Sequence, residues 1–317
     1  SFISNLYMRI LISGGAGFIG SNIAEKISEQ HEVIVFDDLS TGKAENISEF
    51  KNRIKFIKES ILNENALNKA MKNVDFVLHQ AAIPSVPKSI KDPIGTSKVN
   101  IIGTLNVLEC ARKNNVKRVI LASSSSVYGD KPTLPKVESM CPEPKSPYAS
   151  AKVINEQHAK QFYEFYGLET ISLRYFNVYG KKQDPKSEYA AVIPAFISRM
   201  LKNKPPIIYG DGKQTRDFTY VDDVVDANIR AMETKNNDAF GKTLNIAGGK
   251  QTSILELAAL LNKILGKNLA PVFEKERPGD VKHSLADISL AKQLLGWEPK
   301  TGLEEGLRRT VEWYKGR

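Results

Sequence analysis

The run Gly14-Gly15-Ala16-Gly17-Phe18-Ile19-Gly20 most narrows what this chain can fold into. It follows the nearly all-apolar segment Arg9–Ser13 and opens an amphipathic segment over residues 18–29. A strand, a tight glycine turn and a helix N-terminus in that order form the context of a dinucleotide-binding turn. Glycines at 14, 17 and 20 let the backbone turn sharply and come close to a pyrophosphate at the helix N-terminus.

The rest of the first half repeats this alternation. Strand-like runs fall at Glu32–Phe36, Ile54–Ile57, 76–78, 118–122 and 170–173. Helical runs between them include 64–71, 95–113 and 148–166. Strand then helix, repeated, predicts an α/β fold, a doubly wound parallel sheet with helices on both faces. After about residue 177 the texture becomes irregular, with polar or Pro- and Gly-bearing loops at 181–188 and 202–214. A helix at 221–234 and a buried strand at 243–247 follow, then helices at 253–265, 288–295 and 303–314. We expect residues 8–176, with 218–247 returning to them, to form a dinucleotide-binding domain. Residues 177–217 and 248–317 would form a smaller mixed α/β substrate domain.

Composition sets outer bounds. The chain has 317 residues, a net charge of +9 and two cysteines, Cys110 and Cys141, at no metal-like spacing. Two such cysteines read as reduced thiols of a cytoplasmic protein, and no metal site is expected. No run approaches the roughly 18 apolar residues of a membrane span. Ser1 to Tyr7 lack the basic start and apolar middle of a signal peptide. The lysines are spread along the chain and form no stripe, so no nucleic-acid partner is expected.

Three further signals carry chemistry. Asp37-Asp38 ends the second strand, where a carboxylate can accept hydrogen bonds from ribose hydroxyls and would repel a 2′-phosphate. NAD is therefore favoured over NADP, with Asp37 the better placed of the two. Tyr148 and Lys152 lie one helical turn apart on one face. An ammonium beside a phenol favours the phenolate, which makes it a usable base. Ser123-Ser124-Ser125-Ser126-Val127-Tyr128-Gly129 ends another strand, where side chains face the ligand crevice.

With Arg174-Tyr175-Phe176-Asn177-Val178-Tyr179-Gly180, these motifs stand in the order of the extended short-chain dehydrogenases, which the chain resembles from Met8 to its C-terminus. Within that family it looks most like the UDP-hexose 4-epimerases. The resemblance implies Tyr148 as catalytic base, Lys152 as its partner and a ligand of the nicotinamide ribose, and Ser124 as the catalytic hydroxyl. It places NAD against Gly14, Gly17, Phe18, Ile19, Gly20, Asp37, Asp38, Ser60, Ile61, Ala81, Ala82, Asn100, Tyr148, Lys152 and Tyr175. Ser60 stands where the family usually carries an Asp toward the adenine amine. His79 falls in the segment near the nicotinamide and is given no chemical role.

On the substrate side the resemblance implies contacts from Ser85, Val86, Ser124, Ser125, Ser126 and Tyr148 with the sugar. Asn177, Ala191, Val192, Tyr209, Arg216, Arg277 and Asp280 would hold the nucleotide diphosphate. Guanidinium groups bind phosphate oxygens bidentately, which suits Arg216 and Arg277. Ser284 falls where hexose-restricted epimerases carry a bulky Tyr, so an N-acetyl group at C2 should fit. Dehydratases and decarboxylases of the family carry acids near Ser125 and Ser126; this chain does not.

The implied activity is 4-epimerisation of a UDP-hexose or UDP-N-acetylhexosamine through a 4-keto intermediate, with NAD retained. Epimerisation of a UDP-uronate, or another nucleotide-sugar reaction of the family, stays open, because the serine run also occurs in uronate epimerases. A non-catalytic NAD-binding scaffold would be expected to lose Tyr148 or Lys152. A homodimer through helices 95–113 and 148–166 is implied as well.

Overall fold

The computed structural model describes residues 7–185, 191–276 and 281–316. Seven parallel strands form the central sheet. They are β1 (Arg9–Ser13), β2 (Glu32–Phe36), β3 (Ile54–Ile57), β4 (Phe76–His79), β5 (Arg118–Ser124), β6 (Glu169–Tyr175) and, after four short strands, β11 (Lys242–Ile246). Their spatial order is β3-β2-β1-β4-β5-β6-β11. The order reverses between β1 and β4, the place where open α/β sheets leave a crevice beyond their carboxyl ends.

Side chains alternate across a strand, and the core follows that period. Ile10 and Ile12 of β1 join Val33 and Val35 of β2 in one buried cluster. Leu11, Ile34 and Phe36 point into a second cluster on the opposite face. The first face is covered by α1 (Phe18–Ile27), α8 (Val221–Glu233) and α10 (Ser289–Leu295). The second is covered by α2 (Glu64–Ala70), α5 (Thr104–Lys113) and α6 (Pro147–Tyr166). This is the doubly wound arrangement that the strand-helix alternation predicts.

Helix α6 has sharp ends for local reasons. Ser146 caps it by accepting from Ala149 N at 3.1 Å, Pro147 occupies its first turn, and Gly167 closes it in the left-handed conformation. Ahead of α5, the sequence reading expects an unbroken helix over 95–113. The structure starts earlier, with α3 (Val86–Lys91) and α4 (Pro93–Ser97), and inserts a π-helical turn at Lys98–Gly103. Gly103 packs against Ile61 there: a Cβ on it would stand 2.5 Å from Ile61 Cδ1, so the isoleucine would have to move.

A third cluster gathers the remaining elements. Helix α7 (Val192–Leu201) packs with α9 (Ile254–Leu265) and α11 (Leu303–Lys315). Around them lie β7 (Val178–Tyr179), β8 (Ile207–Tyr209), β9 (Thr215–Asp217), β10 (Thr219–Tyr220), β12 (Gln251–Ser253) and β13 (Val272–Glu274), paired two by two. The sequence reading has no helix at 192–201. Its apolar residues Ile193, Phe196, Ile197 and Met200 stand at the spacing of one helical face and share a buried cluster with Leu257 and Leu261. Other element ends agree or shift by one or two residues, as terminal turns commonly do.

Candidate active site

The carboxyl ends of β1 and β4 meet through the glycine turn. Gly14 has φ +70°, and a Cβ on it would stand 2.5 Å from Ala81 N. Gly20 must also lack a side chain, because its Cβ would fall 2.1 Å from Gly14 O. Gly17 is the N-cap of α1 and offers no side chain to cap the first turn. The amide end at Phe18, Ile19 and Gly20 is thus held close behind β1 with only backbone in front of it. Such an end suits a pyrophosphate.

Asp37 and Asp38 divide as the strand end predicts. Asp37 is buried, and its carboxylate accepts from Ala16 N at 2.9 Å and Leu39 N at 2.8 Å. Burial pushes its pKa up, and those two amides pull it back. Asp38 is exposed and accepts from Ser40 N at 2.9 Å, a turn contact. Ser60 accepts from Leu62 N at 3.3 Å, and Ile61 is buried against Gly103. The combination of a glycine-only turn and a carboxylate at the end of β2 fits NAD.

Asn100 braces this crevice. Its Oδ1 accepts from Ile83 N at 2.8 Å and its Nδ2 donates to Ile83 O at 3.2 Å, which ties down the segment carrying Ala81 and Ala82. Tyr175, at the end of β6, receives Asn228 Nδ2 on its hydroxyl at 2.9 Å and donates to Gln80 Oε1 at 3.1 Å. His79 lies below, fully hydrogen-bonded between Ser13 Oγ at 2.6 Å and Thr104 Oγ1 at 2.8 Å.

Beyond β5 the serine run turns into a short 3₁₀ segment, Ser125–Tyr128. Ser124 caps it by accepting from Ser126 N at 3.2 Å. The Ser124 hydroxyl also acts on the phenol of Tyr148, pulling its pKa down. Lys152 Nζ donates to Ala122 O at 2.7 Å and sits 5.8 Å from the Tyr148 ring centre. Ser126 Oγ is buried with no protein partner. Ser85 caps α3 and Val86 is exposed on the same helix, whose Ser89 Oγ accepts from Tyr148 N at 3.1 Å.

One expectation is corrected here. The lysine was expected to lower the tyrosine pKa. Instead burial pushes Tyr148 up, offset only by Ser124. The reason is geometric: the ammonium is directed at the Ala122 carbonyl, and desolvation disfavours a phenolate.

Five of the expected nucleotide contacts, Asn177, Ala191, Val192, Tyr209 and Arg216, line one cavity of about 260 Å³, together with Phe218. Asn177 adopts φ +33° and donates from Nδ2 to Asp217 O at 3.2 Å. Arg216 holds Thr215 O at 2.9 Å. Ser284 is buried, and its amide donates to Thr215 O at 3.2 Å, so its segment runs beside β9 rather than in the wall of that cavity. Arg277 and Asp280 lie outside the described residues.

The sequence reading passes over two buried acids. Asp217 is fully buried, accepts from Ala286 N at 3.0 Å and is pushed up to about 6 by burial. Glu156 is buried one turn beyond Lys152, a spacing that the sequence does display.

Comparison with known proteins accords with this geometry. The sequence pattern of the NAD dependent epimerase/dehydratase family matches residues 10–247. A putative UDP-glucose 4-epimerase of Methanocaldococcus jannaschii is 42% identical, over 96% of this chain and 98% of that protein. The solved UDP-N-acetylglucosamine 4-epimerase of Methanobrevibacter ruminantium M1, in complex with UDP-N-acetylmuramic acid, is 41% identical. It superposes with a TM-score of 0.94, covering 98% of this chain and 99% of that one. The UDP-glucuronic acid 4-epimerase of Bacillus cereus, solved with UDP-glucuronic acid and NAD, is 38% identical. Its TM-score is 0.90, with 98% and 99% covered. The match takes in the glycine turn, the serine run and the Tyr148–Lys152 helix, and this chain therefore belongs to the NAD dependent epimerase/dehydratase family.

Proposed function

We propose that the protein is an NAD-using UDP-sugar 4-epimerase. The observation that carries this reading is the meeting of Tyr148 with Ser124 at the carboxyl end of β5, where Ser124 pulls the tyrosine pKa down, with Lys152 anchored one helical turn away. Relatives named for 4-epimerisation of UDP-sugars share the fold and much of the sequence.

In this reading Gly14, Gly17, Phe18, Ile19 and Gly20 hold the pyrophosphate of NAD, and Asp37 holds its adenosine ribose. Ser60, Ile61, Ala81, Ala82, Asn100 and Tyr175 line the remainder, and Asp38 shapes the turn. Held by these residues, NAD would supply the hydride acceptor and donor for C4 of the sugar. Tyr148 takes the proton of the 4-hydroxyl, and Ser124 hydrogen-bonds the same oxygen. Lys152, tied to Ala122 O one turn along α6, would hold the nicotinamide ribose beside Tyr148. Asn177, Tyr209, Arg216, Arg277 and Asp280 keep the UDP fixed while the 4-keto sugar turns over. Residues 8–176 and 218–247 serve the cofactor, and 177–217 and 248–317 serve the nucleotide sugar.

For the sugar, Ser284 supports N-acetylated hexoses alongside plain ones. A second reading, 4-epimerisation of a UDP-uronate, is favoured by Ser126 Oγ, a buried donor without a protein partner and suited to a carboxylate. A homodimer is supported by an apolar surface on the helices beside the site. Ile94 is 81% exposed, Phe165 74% and Ile102 48%.

The test is incubation of the purified protein with UDP-GalNAc, UDP-Gal and UDP-glucuronate separately, without added cofactor, and NMR of the products. The 4-epimer of at least one should form, and the rates rank the substrates. No epimer of any, even with NAD supplied, would overturn the reading.

A further inference from the structure

Tyr148, Lys152 and Glu156 follow one another at four-residue steps and so share one face of α6. The proposed chemistry uses the first two and leaves Glu156 without a part. Glu156 is nevertheless buried, with 7% exposure. Its carboxylate takes a two-pronged clamp from Arg174 of β6, Nε to Oε1 at 2.9 Å and Nη2 to Oε2 at 2.7 Å. Ser123 Oγ of β5 donates to the same Oε1. Arg174 in turn lies over the Tyr128 ring at 4.7 Å, and Tyr128 Oη donates to Asn245 Oδ1 at 2.7 Å.

The clamp acts directly on the neighbouring site. Lys152 is tied to Ala122 of β5, Glu156 to Ser123, and the next residue is Ser124, the partner of Tyr148. Two consecutive polar anchors therefore set how α6 sits along the end of β5. They also set the placement of Tyr148 against Ser124.

The charges point the same way. Lys152 is buried, which pushes its ammonium down to about 8, and Glu156 pulls it back up. The surrounding groups are otherwise neutral or committed. Tyr148 on α6 and Tyr128 beyond β5 are phenols pushed up by burial. From β4, His79 is held neutral by burial, down to about 3. From β6 come Arg174, engaged on Glu156, and Tyr175, pushed up to about 12. Thr104 and Asn100 are uncharged, and Lys88, Lys91 and Lys98 on the helices beside α6 are exposed. Among the described residues, Glu156 is the carboxylate that acts on the Lys152 ammonium.

We propose that Glu156 is a positioning residue of this site: clamped by Arg174 and Ser123, it holds the Tyr148–Lys152 face of α6 against the end of β5 and keeps the buried Lys152 cationic. This rests on reading Tyr148 and Lys152 as the proton-transfer pair.

The experiment follows the Lys152 ammonium by nitrogen-15 NMR from neutral to alkaline pH in the NAD-loaded protein, assigned with Lys152→Met. In Glu156→Gln the Lys152 midpoint should fall by roughly one pH unit. The alkaline limb of kcat should fall with it, while KM for the UDP-sugar stays unchanged. Glu156→Asp, which keeps the charge, should restore most of the midpoint. Should the lone guanidinium left in Glu156→Gln prevent folding, the double variant Glu156→Gln/Arg174→Met removes that orphan charge and should show the same fall. A wild-type midpoint in either folded variant would overturn the proposal, as would an equal fall in Glu156→Asp. The midpoint is read without turnover, so failure of the epimerase reading shows in the substrate assay and not here.

Discussion

Tyr148, in the first turn of α6, faces Ser124, the last residue of β5, whose hydroxyl pulls the tyrosine pKa down. Burial raises the tyrosine pKa in that setting. Tyr148→Phe should lower kcat by about 10²- to 10⁴-fold and leave NAD bound, and Ser124→Ala should cause a smaller loss. Initial rates by NMR, with cofactor content by absorbance, decide this; a near-normal rate in Tyr148→Phe would remove its role as base.

Gly20→Ala tests the glycine turn. The new methyl would stand 2.1 Å from Gly14 O, a backbone atom that cannot swing away. The variant should lose about 1–3 kcal/mol of stability and release NAD more readily. Denaturant unfolding with and without NAD measures both, and wild-type values would show that the turn has slack.

Two buried groups make stability depend on pH in opposite senses. His79 is ordinarily 6.5 and is held down to about 3, so the stability it contributes is present above 6.5 and is lost as pH falls toward 3. The slope is about 1.4 kcal/mol per pH unit at most. Asp217 is ordinarily 3.8 and is pushed up to about 6, so its contribution is full below 3.8 and is lost as pH rises through 6. Urea unfolding between pH 7 and about pH 4 should show His79→Asn gaining on the wild type as pH falls and Asp217→Asn losing ground. Parallel curves would contradict the assignment.

Ser284→Tyr should suppress turnover of N-acetylated sugars far more than of plain hexoses. Ser284 is 9% exposed, so the added ring must take space from a neighbouring ligand or loop. Equal loss on both substrates in competition assays would end the argument that this position selects the sugar.

The apolar helix surface predicts association. Ile154 of α6 is 37% exposed like its neighbours on that surface, and Ile102→Glu with Ile154→Glu should give monomers, because a charge is costly to bury at an apolar interface. Sedimentation reads the outcome, and a wild type that sediments as a monomer would count against the dimer.

Much of the frame was legible beforehand. The runs at Arg9–Ser13 and Glu32–Phe36 are short and apolar, and the glycine turn needs its own close approach whatever lies elsewhere. The helix at 192–201 is legible too, since Ile193, Phe196, Ile197 and Met200 follow the i, i+3, i+4, i+7 period, although the sequence reading does not draw it. The π-helical turn at Lys98–Gly103 interrupts a helix that the sequence reading draws as continuous. The Tyr148 pKa was misjudged because spacing places Lys152 on the right face but says nothing of where its ammonium points.

By itself, then, the sequence determined what propagates over a few residues: strand and helix periods, caps, the glycine turn and the one-turn spacing of Tyr148 and Lys152. Only the tertiary structure decided which distant polar groups meet. It set Ser124 against Tyr148, Arg174 on Glu156, and Asp217 beneath the segment that carries Ser284. Those meetings join residues on separate elements, and they are set by how the faces of the sheet pack against its helices rather than by any local preference of the chain.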